Sequence, residues 1–478
     1  VTVFAPGNRR STARVTYRGN LHLWKEMPSG SRVTTAIVAA AFGLAASVAS
    51  AQELLTVDRA VQDALAYNAS LRAARAAVSE GDALVSEARS GWFPRVSVTE
   101  TWQRGDEPVF VFSSLLSSRQ FAATNFAIDS LNHPDATGFF RNRIGVEQLI
   151  FDGGRQQSVT ASAESRRDMT QLSADEASAA LVTATVEVYG RTLVAEAGER
   201  AAQAALDAAR EDLTRAQNRR ETGLATDADV LALVAHVADL QQRAIHYQGE
   251  AAVSRAELNR LMGVPIAREY RVAPPADAED PSLATASVDA LLAEADRSRP
   301  ELRRVAVAQQ LADADRKNVR AGLIPQVAAQ AAFDFSGTQF SNRASAWLVG
   351  AEFRWNLSLG GAETARLRAA TDARTRAAAE AEDARAAVHV EVVTALRRLQ
   401  AANARRSAGR AAVEQARESQ RITRDRFEAG IAGVTDVLRA SSAVVEAESQ
   451  RMSAAVDAVV SEAMLRRALG RYPPTRPL

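Results

Sequence analysis

The sequence predicts a mainly α-helical chain with a small β part, organised as two tandem structural repeats. Three observations carry this. Two alanine-rich runs, Arg155–Glu221 and Ala362–Ala429, contain no proline and each stops at a glycine, Gly223 or Gly430. At about 1.5 Å rise per residue, each makes a rod of roughly 100 Å, far longer than an ordinary helix of about 11–12 residues. The elements around the two runs also recur in the same order. Between the recurring elements, short stretches change from helical periodicity to a period of two, and aromatic residues crowd there.

The chain has 478 residues, 47% of them hydrophobic, so a large apolar interior is within reach. With 58 basic and 57 acidic residues the formal net charge is +1, and no global field points to nucleic acid. Both signs are interleaved along the helical runs, as on solvated helix faces. There is no cysteine, which excludes disulfides, thiolate metal sites and cysteine catalysis. Near the N-terminus Arg32 precedes an apolar run, Thr35–Val48, that ends in Ala49-Ser50-Ala51. A basic flank, an apolar core and a small-x-small end describe a secretory signal peptide cleaved after Ala51. The run is too short to span a bilayer, which needs about 20 apolar residues. Met27 then reads as the true start, with Val1–Glu26 an upstream over-extension.

After residue 51 the first repeat, 52–281, opens with short helices over Leu55–Ala66 and Ser70–Ser90, with Asn68 between them as stop or cap. Gly91-Trp92-Phe93-Pro94 ends the second, because proline disfavours helical geometry in the residue before it. The strand that follows, about 94–104, alternates: Val96, Val98 and Trp102 oppose Arg95, Ser97, Thr99, Thr101 and Gln103, with Glu100 the misfit. A returning strand, about 140–151, puts Ile144, Val146 and Ile150 on one face. Asp152-Gly153-Gly154 then turns the chain into the first long helix, 155–221. A return helix, 227–262, carries Leu233, Val237, Leu240, Ala244, Tyr247, Ala251, Ser254, Leu258 and Leu261. Steps of four and three without a slip make a heptad seam. Ala202, Leu206, Ala209, Leu213 and Ala216 answer it on the long helix. The proline-rich, acidic Pro265–Pro281 reads as a linker.

The second repeat, 282–471, copies this order, followed by a tail, 472–478. Its strands are expected at about 325–336 and 345–357, its long helix at 362–429 and its return helix at about 435–469. Gly91-Trp92-Phe93-Pro94 returns as Gly322-Leu323-Ile324-Pro325, and Gly223-Leu224 with Asp229-Val230-Leu231 returns as Gly430-Ile431 with Asp436-Val437-Leu438. The offset falls between the paired strands, which locates an insertion, Gly105–Phe139, in the first copy alone. One unit found twice marks a duplication. Of 26 aromatic residues, 16 lie within Trp92–Phe151 and Phe333–Trp355. Apolar-out, polar-in strands with aromatics near their ends suit an outer-membrane barrel. Four strands cannot close one, and open edges do not exist in lipid, so several chains would have to pool their strands.

The duplicated order, the Gly-x-x-Pro strand entries at Gly91 and Gly322, the exits Asp152-Gly153-Gly154 and Leu359-Gly360-Gly361, and the two Gly…Asp-Val-Leu turns together resemble the outer-membrane efflux proteins, the TolC-like channel-tunnels. The resemblance covers Gln52–Arg471. It implies a homotrimer whose strands close one 12-stranded barrel in outer-membrane lipid, continued by a long periplasmic α-helical barrel. It implies a passive exit duct of a tripartite efflux or type I secretion system, working with a periplasmic adaptor (membrane fusion) protein and an inner-membrane pump. The insertion would then sit at the cell-surface mouth. Relatives carry their adaptor contact at the hairpin turns, here Arg219, Thr222, Gly223, Leu224, Ala429, Gly430 and Ile431. They close the tunnel with the second-repeat tips, which gives Asp425 a place in an acidic ring and makes Arg424, Arg426 and Asp436 the polar links of the gate. For Asp425 a plain intrahelical pair with Arg421 is an equal alternative.

No chemistry asks for a cofactor, a metal or a catalytic residue. The five histidines make no zinc-like spacing, and Gly153-Gly154 and Gly360-Gly361 lack the Gly-Lys-Ser/Thr ending of a phosphate loop. The competing function class is a soluble periplasmic coiled-coil protein of adaptor type, which the paired alternating strands disfavour.

Overall fold

The structure, a computed structural model, describes residues 54–223, 225–274, 281–339, 341–356 and 359–471. The expected signal peptide, the tail at 472–478, Leu224 and Leu357 lie outside the described residues, as does the middle of the segment read as a linker.

The first repeat begins with a two-residue strand, β1 (Leu54–Leu55), and helices α1 (Val57–Tyr67) and α2 (Ala69–Ser90). Asn68 separates the helices and serves both: its N–H donates to the Ala64 carbonyl, and its side-chain oxygen accepts from the Ser70 and Leu71 amides. Strand β2 (Arg95–Gly105) leads into the insertion, which holds helix α3 (Pro108–Ser117), a 3₁₀ turn at Ala123–Phe126 and the short α4 (Ile128–Asn132). Strand β3 (Thr137–Phe151) returns to the long helix α5 (Arg155–Glu221), and α6 (Asp227–Met262) runs back along it. Strand β4 (Arg271–Val272) and helix α7 (Pro281–Thr285) join the repeats. The second repeat has α8 (Val288–Ser298), α9 (Pro300–Ala321), β5 (Gln326–Gln339), β6 (Asn342–Arg354), α10 (Ala362–Glu428) and α11 (Val434–Ala468).

Two readings of the sequence need correction. Leu55 belongs to β1 and not to the first helix, and the stretch read as a linker contains β4, which pairs with β1 in parallel. The Tyr189 hydroxyl of α5 draws the two together by hydrogen bonding to the carbonyls of Leu55 and Ala273. Strands of two residues have no period to read. The larger sheet also extends further toward its turns than the alternation indicates. β3 starts at Thr137 instead of residue 140, where Thr137 and Gly138 pair with Gly105 and Arg104, and β5 runs on to Gln339, which pairs with Asn342 at the start of β6; these end pairs are made by backbone and carry no apolar alternation to read.

Both long helices have 67 residues. Leu206 and Ala209 of α5 pack against Leu240 of α6, Ala216 against Leu233, and Tyr189 and Leu193 against Leu258, so the seam holds the hairpin together. At Gly190 the repeats approach closely, since a Cβ there would strike the Val456 side chain of α11. Apolar clusters brace each rod part-way along. One gathers Leu55, Leu71, Tyr189, Leu193, Leu258 and Met262. The other gathers Leu283, Leu291, Val392, Leu396, Leu465 and Leu469. Each is the same joint, built once per repeat from the short N-terminal helices and the end of the return helix. Polar contacts across the repeats tie the copies together, with Arg304 to Glu176 at 2.7 Å and the Ser162 hydroxyl donating to Asp315 at 2.8 Å. The four larger strands form one antiparallel sheet in the order β2-β3-β5-β6.

Candidate functional site

The sheet has two unlike faces. Strand register stands Val98, Ile144, Phe333 and Trp347 in one row across all four strands, and Val96, Val146, Ala331 and Val349 in the next. These side chains are largely bare: Val98 is 76% exposed, Trp347 76% and Val349 69%. In a water-facing protein such rows would cost roughly 25 cal/mol for every Å² left uncovered. Glu100, the misfit, stays on this face in a row with Asn142. The opposite face is polar. There Thr99, Arg143 and Asp334 share a row, and Arg143 donates to both Asp334 oxygens at 2.8 and 2.9 Å. Strands β2 and β6 are the two edges of the sheet.

At the far end of the rods, each hairpin turns through a glycine of positive φ, Gly223 at 76° and Gly430 at 77°, a conformation that only glycine takes without strain. Among the described residues, none beyond the chain neighbours comes within 4 Å of where a Cβ would stand at either glycine. Thr222, Ala429 and Gly430 are exposed, and Ile431 presents an apolar surface that is 69% exposed. The turns are closed differently. In the first, Thr226 and Asp229 form a reciprocal capping box: the Thr226 hydroxyl oxygen accepts from the Asp229 amide, and Asp229 Oδ2 accepts from the Thr226 amide at 3.0 Å. The Thr226 amide foremost, and then the Thr226 hydroxyl, which donates to the same Asp229 oxygen at 2.8 Å, hold the Asp229 carboxyl below the usual range. In the second, Gly433 caps α11 with no side chain, and the turn relies on the Ile431 and Ala432 amides donating to the Arg426 carbonyl.

The two tips of one chain also hold each other. Arg424 of α10 reaches Asp212 of α5 at 3.7 Å, and Arg215 donates to the same carboxylate. The Arg219 guanidinium lies over the Phe427 ring, 5.4 Å from its centre. Beneath them Ala216, Val230, Leu233 and Val434 form a small core with Phe427 and Leu438 packed on it. A cleft of about 300 Å³ opens between the tips, lined by Arg215, Asp229, Phe427 and Val437 among others.

Of the residues singled out from the sequence, Arg424 and Arg219 make the inter-hairpin contacts. Asp425 pairs with Arg421 on its own helix at 2.8 Å, the plainer of its two readings, and Arg421 also holds Glu418. Asp436 pairs with Arg439 one turn along, and the Arg426 side chain is exposed. Asp212, Arg215 and Phe427 escaped the sequence reading. A signal for Phe427 was present, since it is the one aromatic residue in α10.

A duplicated, mostly helical chain, with one lipid-compatible sheet face and long paired hairpins, defines a class of membrane-associated conduit subunits. The chain belongs to the outer membrane efflux protein family, whose match covers residues 60–264 and 291–471. Its fold is similar to that of the Campylobacter jejuni CmeC outer membrane channel, with a TM-score of 0.77 at 14% identity over 88% of this chain and 87% of that one. It is also similar to the outer membrane protein VceC of Vibrio cholerae (TM-score 0.71, 17% identity, 87% and 96% of the two chains). The Neisseria gonorrhoeae MtrE outer membrane channel, solved in its open state, gives 0.70 at 18% identity over 88% and 91%. No curated protein matches the chain in sequence.

Proposed function

We propose that three copies of this chain make a passive exit duct through the outer membrane, gated at the periplasmic hairpin tips and fed by an adaptor and an inner-membrane pump. The observation that carries this is the pair of bare apolar rows on a sheet with two open edges. A lipid core tolerates the apolar face but not unpaired edge backbone. Joining β6 of one copy to β2 of the next removes every edge and puts Arg143 and Asp334 toward a wet interior. Three four-stranded sheets then close a 12-stranded barrel, within the range of known outer-membrane barrels. The α5–α6 and α10–α11 hairpins continue its wall into the periplasm.

The tips suit two tasks in this reading. Their small exposed turns, with Ile431 at the surface, offer a docking end for an adaptor's helices. The Arg424–Asp212 and Arg219–Phe427 contacts hold the second hairpin against the first, and an adaptor that binds the separated tips more tightly opens the duct. The test is purification in mild detergent followed by reconstitution in a planar bilayer. A trimer that conducts supports the duct; a monomer that leaves the bilayer insulating overturns it.

A further inference from the structure

The insertion found only in the first repeat is not a loop projecting away from the sheet. In register, Arg95, Ser97, Thr99, Thr101, Gln103 and Gly105 lie on the polar face. A Cβ built at Gly105 on that face comes within 3.7 Å of the Phe110 ring of α3. Phe110 also meets Phe139, the Gln103 partner on the same face, edge to face at 6.3 Å, and Phe139 is only 4% exposed. On β5 the Ser336 hydroxyl, again of the polar face, donates to the carbonyl of Ser117 at the end of α3 at 3.2 Å, and Ser336 is buried. Just beyond it the Thr338 hydroxyl donates to Gln120 Oε1 at 2.8 Å. Arg119, the one described residue other than glycine with positive φ, bends there and reaches across to the Ser345 carbonyl of β6 at 3.1 Å. These contacts reach all four strands at the end of the sheet away from the helices.

We propose that this segment, residues 106–136, is an internal constriction of the duct, folded into the lumen at its outer mouth. The inference rests on the duct reading, in which the polar face looks inward. Whatever lies on that face then takes space from the pore, and three-fold assembly places three copies around one axis. The constriction has a chemical character. After folding onto the sheet, the segment still exposes Val109, Leu116, Phe126 and Ile128, and a T-shaped aromatic cluster of Phe112, Phe121 and Phe126 stiffens it. Apolar narrowings impede ions by dewetting, whereas rings of carboxylates or guanidinium groups select them by charge. The mouth is therefore a narrowing by size and wetting, to which the exposed carboxylates of Asp106, Glu107, Asp129 and Asp135 add negative charge.

The test removes the segment. Gly105 and Thr137 pair directly across β2 and β3, so an Asn-Gly turn joining them replaces residues 106–136 with the hairpin register kept. Because the tips also restrict flow, wild type and the shortened chain are compared in an Arg424→Ala background, as full-length trimers in planar bilayers. A second measurement uses the absence of cysteine from the chain. Glu147→Cys lies on the polar face near the helical end, opposite Arg95, and is labelled on intact cells with maleimides of graded size. The expected result is a several-fold rise in single-channel conductance and entry of larger maleimides once the segment is gone. Phe110→Ala with Arg119→Ala, which loosens the segment without deleting it, gives a smaller rise in the same direction and serves if the deletion does not fold. Trimeric, conducting channels with unchanged conductance and unchanged size limit in either variant overturn the constriction while leaving the duct standing. A wild-type chain that is monomeric and non-conducting overturns the duct, and the constriction with it.

Discussion

The inter-hairpin contact makes the sharpest prediction about gating. The perturbation is Arg424→Ala combined with Arg219→Ala, which removes the guanidinium 3.7 Å from Asp212 and the one 5.4 Å from the Phe427 ring centre. Arg424 and Asp212 are 43% and 26% exposed, so the pair belongs with partly screened surface bridges, worth about 0.2–1 kcal/mol. The cation–π contact adds about 0.5–1 kcal/mol at an exposed site. Together they come to roughly 1–2 kcal/mol per chain. If three chains open in concert, the closed state loses about 3–6 kcal/mol, comparable to the about 5.5 kcal/mol that carries a two-state equilibrium from 1:99 to 99:1. The double variant should therefore convert a mostly closed duct to a mostly open one in single-channel recordings. Each single variant should give intermediate open times, and raised salt should mimic Arg424→Ala but not Arg219→Ala. If the double variant assembles as a trimer and keeps the wild-type closed dwell times, these contacts do not hold the gate.

Other expectations follow from neighbouring features. Val349→Arg places a charge on the bare apolar face and should cost about 2–4 kcal/mol if that face meets mid-bilayer lipid, seen as lost trimer in membrane extracts; Thr99→Arg on the polar face should assemble. Asp425→Ala should weaken block of channel current by multivalent cations, while Arg421→Ala, which strips away its 2.8 Å partner, should strengthen that block. Thr226→Ala should loosen the first tip by about 1 kcal/mol, read as roughly five-fold faster amide exchange in the first turn of α6. The same tip predicts a pH dependence. Asp229 has a lowered pKa, so its contribution is complete above the ordinary carboxylate value and is lost as pH falls through the lowered folded value; exchange at Asp229 should stay slow until strongly acid pH. Gly190→Val should destabilise the contact with Val456 by about 1–3 kcal/mol through overpacking, more than the up to about 1 kcal/mol gained in helix propensity, and proteolysis between the repeats should report it.

Long-range order in the sequence made much of the fold legible, because the same spacing persists over many turns. The steps from Leu233 to Leu261 specify a partner helix, and the alternation from Val96 to Trp102 specifies a two-faced strand. Where the structure depends on one contact, no period exists to read. β1 and β4 are joined by a few backbone bonds that the Tyr189 hydroxyl supports, and Asp212 meets Arg424 only because duplication lays two hairpins side by side. For the insertion, the change of offset revealed its presence. Its side of the sheet is set by Phe110 against Gly105 and Phe139, and by Ser336 beneath Ser117.

Duplication also bears on which tip yields. The two turns share their glycine and their Asp-Val-Leu sequence, so they differ in only a few groups. Thr226 and Asp229 cap α6 reciprocally, whereas Gly433 leaves α11 without a side-chain cap. Replacing a hydroxyl cap by glycine costs only a few tenths of a kcal/mol. That is too little to open a gate, and it acts within one hairpin, leaving the gap between the two unchanged. The contacts of Arg424 and Arg219 across that gap are larger and are made only while the hairpins lie together. Opening by separation of intact hairpins therefore costs those contacts and spares the caps, whereas opening by melting a turn would cost the backbone bonds to the Arg426 carbonyl as well. Amide exchange separates the two routes: in the Arg424→Ala, Arg219→Ala double variant the Ile431 and Ala432 amides should stay as protected as in wild type while the channel stands open.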